Sequence, residues 1–105
     1  YDRNPRDGAF IRAFLNLLVP QLRSEGFATL FVVPDDIRSS NAATVANIVL
    51  ADAGARPYVG AIATHLYDEA IGNVSTIKAV ADAYGLPLWM TEYSRYDHVG
   101  STAVD

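Results

Sequence analysis

The 105-residue chain contains no cysteine, so disulfides and thiolate metal sites are excluded and cysteine usage carries no message about redox compartment. Lysine is almost absent: Lys78 stands alone, and the arginines are scattered at 3, 6, 12, 23, 38, 56 and 95. Twelve acidic residues against eight basic ones leave a net charge of −4 with no basic stripe, which argues against a nucleic-acid partner. No apolar run approaches the roughly 18 residues needed to cross a bilayer, so no transmembrane segment is expected. A signal-peptide pattern is also lacking, but the chain opens on Tyr1 without a methionine, and localisation stays open.

Glutamate is scarce as well: the three are Glu25, Glu69 and Glu92. One of them closes the apolar run "LPLWMTE" at residues 86–92. A carboxylate ending a buried strand is costly to desolvate unless it is paired or useful. Glu92 is therefore the residue that most needs a reason.

What is present is a globular pattern. Half of the residues are apolar, and the length suits one small domain or part of a larger one. From Asp7 to Glu25, Ile11, Phe14, Leu15, Leu18 and Leu22 mark a helical face, with Asp7 as its expected N-cap and Gly26 as its stop. Pro20 lies inside this pattern and is expected to kink or split it near Leu18–Val19. "ATLFVVPDD" reads as a buried strand cut off by Pro34. Ser39, Ser40 and Asn41 offer caps for a helix through Ala42–Ala51. A second buried strand is predicted from about Tyr58 to Leu66. Asn73 then caps a third helix with Val74, Ile77, Val80, Ala81 and Tyr84 on its apolar face and Gly85 as its stop. "LPLWMTE" is the third strand, and Tyr93–Asp105 reads as loop.

The predicted class is α/β, with three parallel strands alternating with three helices. Continuous apolar strands of this kind are expected to be covered on both faces. Strands starting near 29, 59 and 87 repeat at the interval of one βα unit of an eight-fold barrel, in which ~250 residues divide among eight units. An open doubly wound sheet has the same spacing. Three strands cannot close a barrel and leave two bare edges, so the preferred reading is a segment of a (β/α)8 TIM barrel.

Each strand ends in polar groups: Asp35-Asp36, then His65-Leu66-Tyr67-Asp68, then Glu92-Tyr93. Parallel α/β folds point these strand ends to one side, where ligands bind. Blander roles exist for most of them. Asp36 serves equally well as a turn residue, His65 as a hydrogen-bonded core histidine, and Tyr67 as an amphipathic lid. Trp89, Leu88 and Met90 are read as packing. Strict alternation puts Leu88, Met90 and Glu92 on one face and Trp89 and Thr91 on the other. The triplet Asn73-Val74-Ser75 fits a glycosylation sequon but sits at a helix start and carries little weight. Asp97 and His98 have no evident partner. Two further chemistries remain open at this point. A receiver-like module would bind a divalent cation at Asp35 and Asp36 but lacks a strand-end lysine. A metal hydrolase would use Asp35, His65, Asp68 and Glu92.

"LWMTEYS", "YVGAIATHLYD" and "VVPDDIR" together resemble glycoside hydrolase family 30, the glucosylceramidase and xylanase family of retaining glycosidases. The resemblance runs over nearly the whole chain, with "FIRAFLNLLVPQLRSEGF" similar to the helix after the family's fourth strand. It implies that residues 1–105 are a partial catalytic barrel, from that helix to the loop after strand seven. It also implies that Glu92 is the nucleophile and that Tyr67 hydrogen-bonds the nucleophile or the sugar, with His65 nearby. Asp35, Asp36 and Arg38 would support the sugar pocket, and Tyr93 would border it. The implied partners are a carbohydrate or glycolipid substrate and the remainder of the barrel; no cofactor or metal is implied, and secretion is expected. The family's acid/base is the Glu of an Asn-Glu pair, which this chain lacks: Glu25 follows Ser24 and Glu69 follows Asp68. Retaining hydrolysis needs two carboxyls about 5–5.5 Å apart. The 105 residues alone are therefore expected to be inactive, with the second carboxyl supplied from outside them.

Overall fold

Two glycines and three apolar stripes set the element order. A computed structural model describes residues 4–67 and 74–94. It contains α1 (Asn4–Ser24), β1 (Phe31–Asp36), α2 (Ser39–Ala51), a 3-10 turn (Arg56–Tyr58), β2 (Val59–Tyr67), α3 (Ser75–Tyr84) and β3 (Leu88–Ser94). Gly26 (φ 93°) and Gly85 (φ 65°) take the left-handed conformation just past α1 and α3, where a side chain would be strained. After α3, the Leu86 N–H reaches back to the Ala81 carbonyl at 3.0 Å and closes the last turn.

α1 begins earlier than expected, so Asp7 lies in its first turn instead of capping it. There its negative charge still meets the positive end of the helix. The split expected at Pro20 does not occur, and α1 runs unbroken to Ser24. Leu15 and Val19 are fully buried, and that burial outweighs the one backbone bond a proline removes. Pro34 does not end β1 either, which continues through it to Asp36. Tyr93 and Ser94, expected in a loop, extend β3. Asn73 lies outside the described residues, as do Asp68, Glu69, Asp97 and His98.

The three strands are parallel in the order β1-β2-β3. Because each crossover advances the sheet in the same direction, right-handed connections keep the helices on one side. α2 packs against β1, β2, α1 and α3. Its small residues Ala42, Ala43 and Ala46 are buried and let it sit close, with Leu15, Val33, Ile62 and Ile77 in the same core. Among the described residues, coverage is thus one-sided and not two-sided as expected. The opposite face carries Val32 beside Ala61 and Trp89 beside Ala63; Val32 and Trp89 of the outer strands are exposed, whereas Ala61 and Ala63 of the central strand are buried. A single helix layer over a sequentially ordered parallel sheet is consistent with a barrel segment, in which the bare face would be the interior.

β2 is buried along most of its length, which explains its nearly continuous apolar run. β3 is not the buried strand expected: Leu88 is half-buried, and Trp89 through Tyr93 are exposed. No strand pairs with its outer edge among the described residues.

Candidate active site

Both outer strands carry one residue more than β2 at the same level. Pro34 pairs with Ala63 and Asp36 with Thr64, which leaves Asp35 as the extra residue of β1. Thr64 pairs with Met90 and His65 with Glu92, which leaves Thr91 as the extra residue of β3. Bulges of this kind re-aim side chains at strand ends. Asp35 has φ 60°, a left-handed backbone uncommon outside glycine and tolerated best by Asn and Asp.

The bulges gather four side chains over the end of β2. The Thr91 hydroxyl donates to Asp35 Oδ1, bridging β3 to β1. His65 Nε2 lies 3.4 Å from the same Asp35 oxygen, and its Nδ1 lies 3.7 Å from Glu92 Oε2. The His65 ring is therefore interposed between two carboxylates on different strands. Its side chain is 12% exposed, whereas those of Asp35 and Glu92 are 49% and 53% exposed. Both ring nitrogens are buried and face the carboxylates without a directed hydrogen bond to either. Tyr67, two residues on along β2, meets the ring edge-on with centroids 5.3 Å apart.

Strict alternation fails here for a physical reason. Leu88 packs on the helix-side core, and the extra residue Thr91 moves Glu92 into line with His65. Tyr93, paired with the buried Leu66, falls one pleat further on and is turned to the other face of the sheet. It does not join the cluster. Asp36 accepts the Arg38 backbone N–H through Oδ1 at 3.3 Å, so it acts as a turn residue leading into α2. Its own carbonyl accepts the hydroxyl of the buried Thr64 at 3.3 Å. Arg38 is exposed at the N-cap of α2. Asp35 and Asp36 also line a cavity of about 290 Å³ with Asp7, Phe10, Ile11 and Ile37. Tyr67 makes no hydrogen bond to Glu92 among the described residues; its contact is with His65. Thr91 is the member that sequence reasoning missed, because an ordinary β-branched residue in a strand gives no sign of a bulge.

Chemically, the cluster offers a solvent-accessible carboxylate, Glu92, whose inner oxygen faces an imidazole nitrogen. Such a group can attack an electrophilic carbon or accept a proton. Among the described residues no group of three or more His, Cys, Asp or Glu is arranged to hold a metal ion. No described helix is long and apolar enough to cross a membrane.

Residues 45–104 match the family model described as glycosyl hydrolase catalytic core. The matched region takes in β2 and β3, and with them His65, Tyr67, Thr91 and Glu92. No curated protein and no solved structure matches the chain. The match covers more than half of the 105 residues, and the chain belongs to the glycosyl hydrolase catalytic core family.

Proposed function

We propose that the chain is the part of a retaining β-glycosidase barrel that carries the nucleophile, Glu92. The observation that supports this most is the position of Glu92 at the carboxyl end of β3, half exposed on the open face and flanked by His65. Strand carboxyl ends are where parallel barrels hold their chemistry. In the proposed reaction the Glu92 carboxylate attacks the anomeric carbon while an acid protonates the departing oxygen. Water then releases the sugar from the ester, with the same acid now acting as base. That acid is assigned to a residue outside these 105, about 5–5.5 Å from Glu92.

The type of glycosidase follows from the resemblance quoted above. "LWMTEYS" with the upstream His65-x-Tyr67 is similar to the glucosylceramidase and xylanase type of family 30. Substrates that resemble glucosylceramide, xylan or β-1,6-glucan are compatible with it, the choice depending on loops after strands that this chain does not contain. Fold alone would not assign the chemistry.

Glu92→Ala in the full-length protein tests the role. Loss of a covalent nucleophile is expected to lower kcat on an aryl β-glycoside on the order of 10⁴- to 10⁶-fold. Added azide, filling the space of the lost carboxylate, is expected to restore turnover and give the α-glycosyl azide. A β-glycosyl azide would instead make Glu92 the acid/base, and undiminished kcat would remove it from the reaction.

A further inference from the structure

We propose that Asp35 is a positioning residue that acts through His65. Its carboxylate, fixed by the Thr91 hydroxyl, anchors the imidazole at Nε2 and so turns Nδ1 onto Glu92. The inference rests on the glycosidase reading for its catalytic consequence, though the anchoring itself does not.

Three observations lead to it. The first is that Asp35 and Thr91 are the two extra residues of the bulged strands, and they meet each other across β2. A regular ladder would leave these strands too far apart for such a contact, since neighbouring strands are about 4.8 Å apart and β2 lies between them. The second is the backbone of Asp35. At φ 60° it adopts a strained conformation for a residue with a side chain, and strain of this kind persists where surrounding contacts over-determine it. The third is that one oxygen, Oδ1, faces both the Thr91 hydroxyl and His65 Nε2. The carboxylate is engaged with protein groups and not simply presented to solvent.

The geometry of the ring makes the consequence specific. Imidazole carries its nitrogens on different edges, so holding one nitrogen determines where the other points. Tyr67 stacks edge-on against the ring and restrains its plane, but an apolar contact does not distinguish a nitrogen from a carbon after a ring flip. Asp35 does. Without it, His65 is free to turn a carbon toward Glu92; the ring orients that carboxylate in the form in which both nitrogens carry protons and each donates to its own carboxylate.

A double-mutant cycle on kcat/KM in the full-length protein tests this. Asp35→Ala is expected to cost about 10- to 100-fold, the scale of a misplaced supporting group. In a His65→Ala background the same change is expected to cost less than about 3-fold, because its route to Glu92 is already gone. Asp35→Asn keeps an acceptor oxygen and tolerates the left-handed backbone, and is expected to stay within about 10-fold of wild type. Losses that multiply in the double variant would overturn the proposal by showing that Asp35 acts independently, for example on the sugar. Circular dichroism of each variant separates misfolding from misplacement, and Asp35→Gly, which accepts the left-handed backbone and removes the carboxylate, carries the test with the same expected loss if Asp35→Ala does not fold. Nitrogen-15 spectra of the His65 ring read the anchor without reference to activity. A protected Nε2–H signal is expected in the wild type and is expected to vanish in Asp35→Ala. If Glu92→Ala leaves turnover intact, the glycosidase reading fails while these spectra still decide the anchor; an unchanged ring spectrum in Asp35→Ala overturns it.

Discussion

Tyr67 illustrates how a residue can belong to a site by a route other than the expected one. The family resemblance assigns its hydroxyl to the nucleophile or the sugar, yet its observed contact is the face-to-edge meeting with His65. An aromatic pair of this geometry contributes about 0.5–1.5 kcal/mol beyond its area. Tyr67→Phe should therefore keep kcat/KM within about 3-fold, whereas Tyr67→Ala should lower it by about 10-fold, matching the upper end of that range. Equal losses in the two variants would return the role to the hydroxyl. At this scale the sequence made the site half legible. Glu92 stood out because a carboxylate ending a buried strand is costly unless used, although β3 leaves it half exposed; His65 was read equally as a core histidine, and its place between two carboxylates was not visible. Asp35 was visible as a strand-end acid, but its backbone conformation was not, and Thr91 gave no signal at all. Tyr93 was drawn in by adjacency to Glu92, and a single pleat removes it.

Elements were more legible than register. The apolar runs and the glycine stops located all three helices and all three strands, since burial stripes and left-handed caps are local properties. The bulges are not local. They depend on how each outer strand is paired with β2, so no periodicity within β3 could move Glu92 onto the His65 side. Between elements, Asn16 of α1 donates to Asp52 Oδ2 at 2.8 Å, and the Ala55 N–H donates to the same oxygen at 2.9 Å. These contacts tie α1 to the turn that follows α2. The Asn16 bond first, and then the Ala55 N–H, hold the Asp52 carboxyl below the usual carboxylate range; a smaller desolvation effect opposes them, and the Arg12 charge and Gly54 N–H assist. A carboxyl depressed in the folded state stabilises the fold above its unfolded pKa, and that contribution is lost as pH falls through the folded value. Urea midpoints taken from neutrality down through the carboxylate range should thus fall less steeply in Asp52→Asn than in the wild type. An identical slope in the two proteins would mean that the Asn16–Asp52 tie does not survive in solution.

At the scale of the whole molecule, the described residues leave much apolar surface uncovered. Phe10 and Leu17 of α1 are 71% and 79% exposed, and Trp89 and Met90 of β3 are half exposed. β1 and β3 also present unpaired edges among the described residues. Surfaces and edges of this kind are ordinarily covered by further chain or lead to association. The purified 105-residue chain should accordingly bind a hydrophobic dye, scatter light as oligomers and hydrolyse no aryl β-glycoside. A dye-free monomer that turns over substrate would contradict the segment reading. The central claim is that Glu92 forms the covalent link to the sugar, and one measurement addresses it directly. The full-length protein is treated with a 2-deoxy-2-fluoro β-glycoside bearing a good leaving group, digested, and sequenced by mass spectrometry. The account predicts a single fluoroglycosyl adduct on Glu92. An adduct on any other carboxylate, or rapid turnover with no adduct at all, would contradict it.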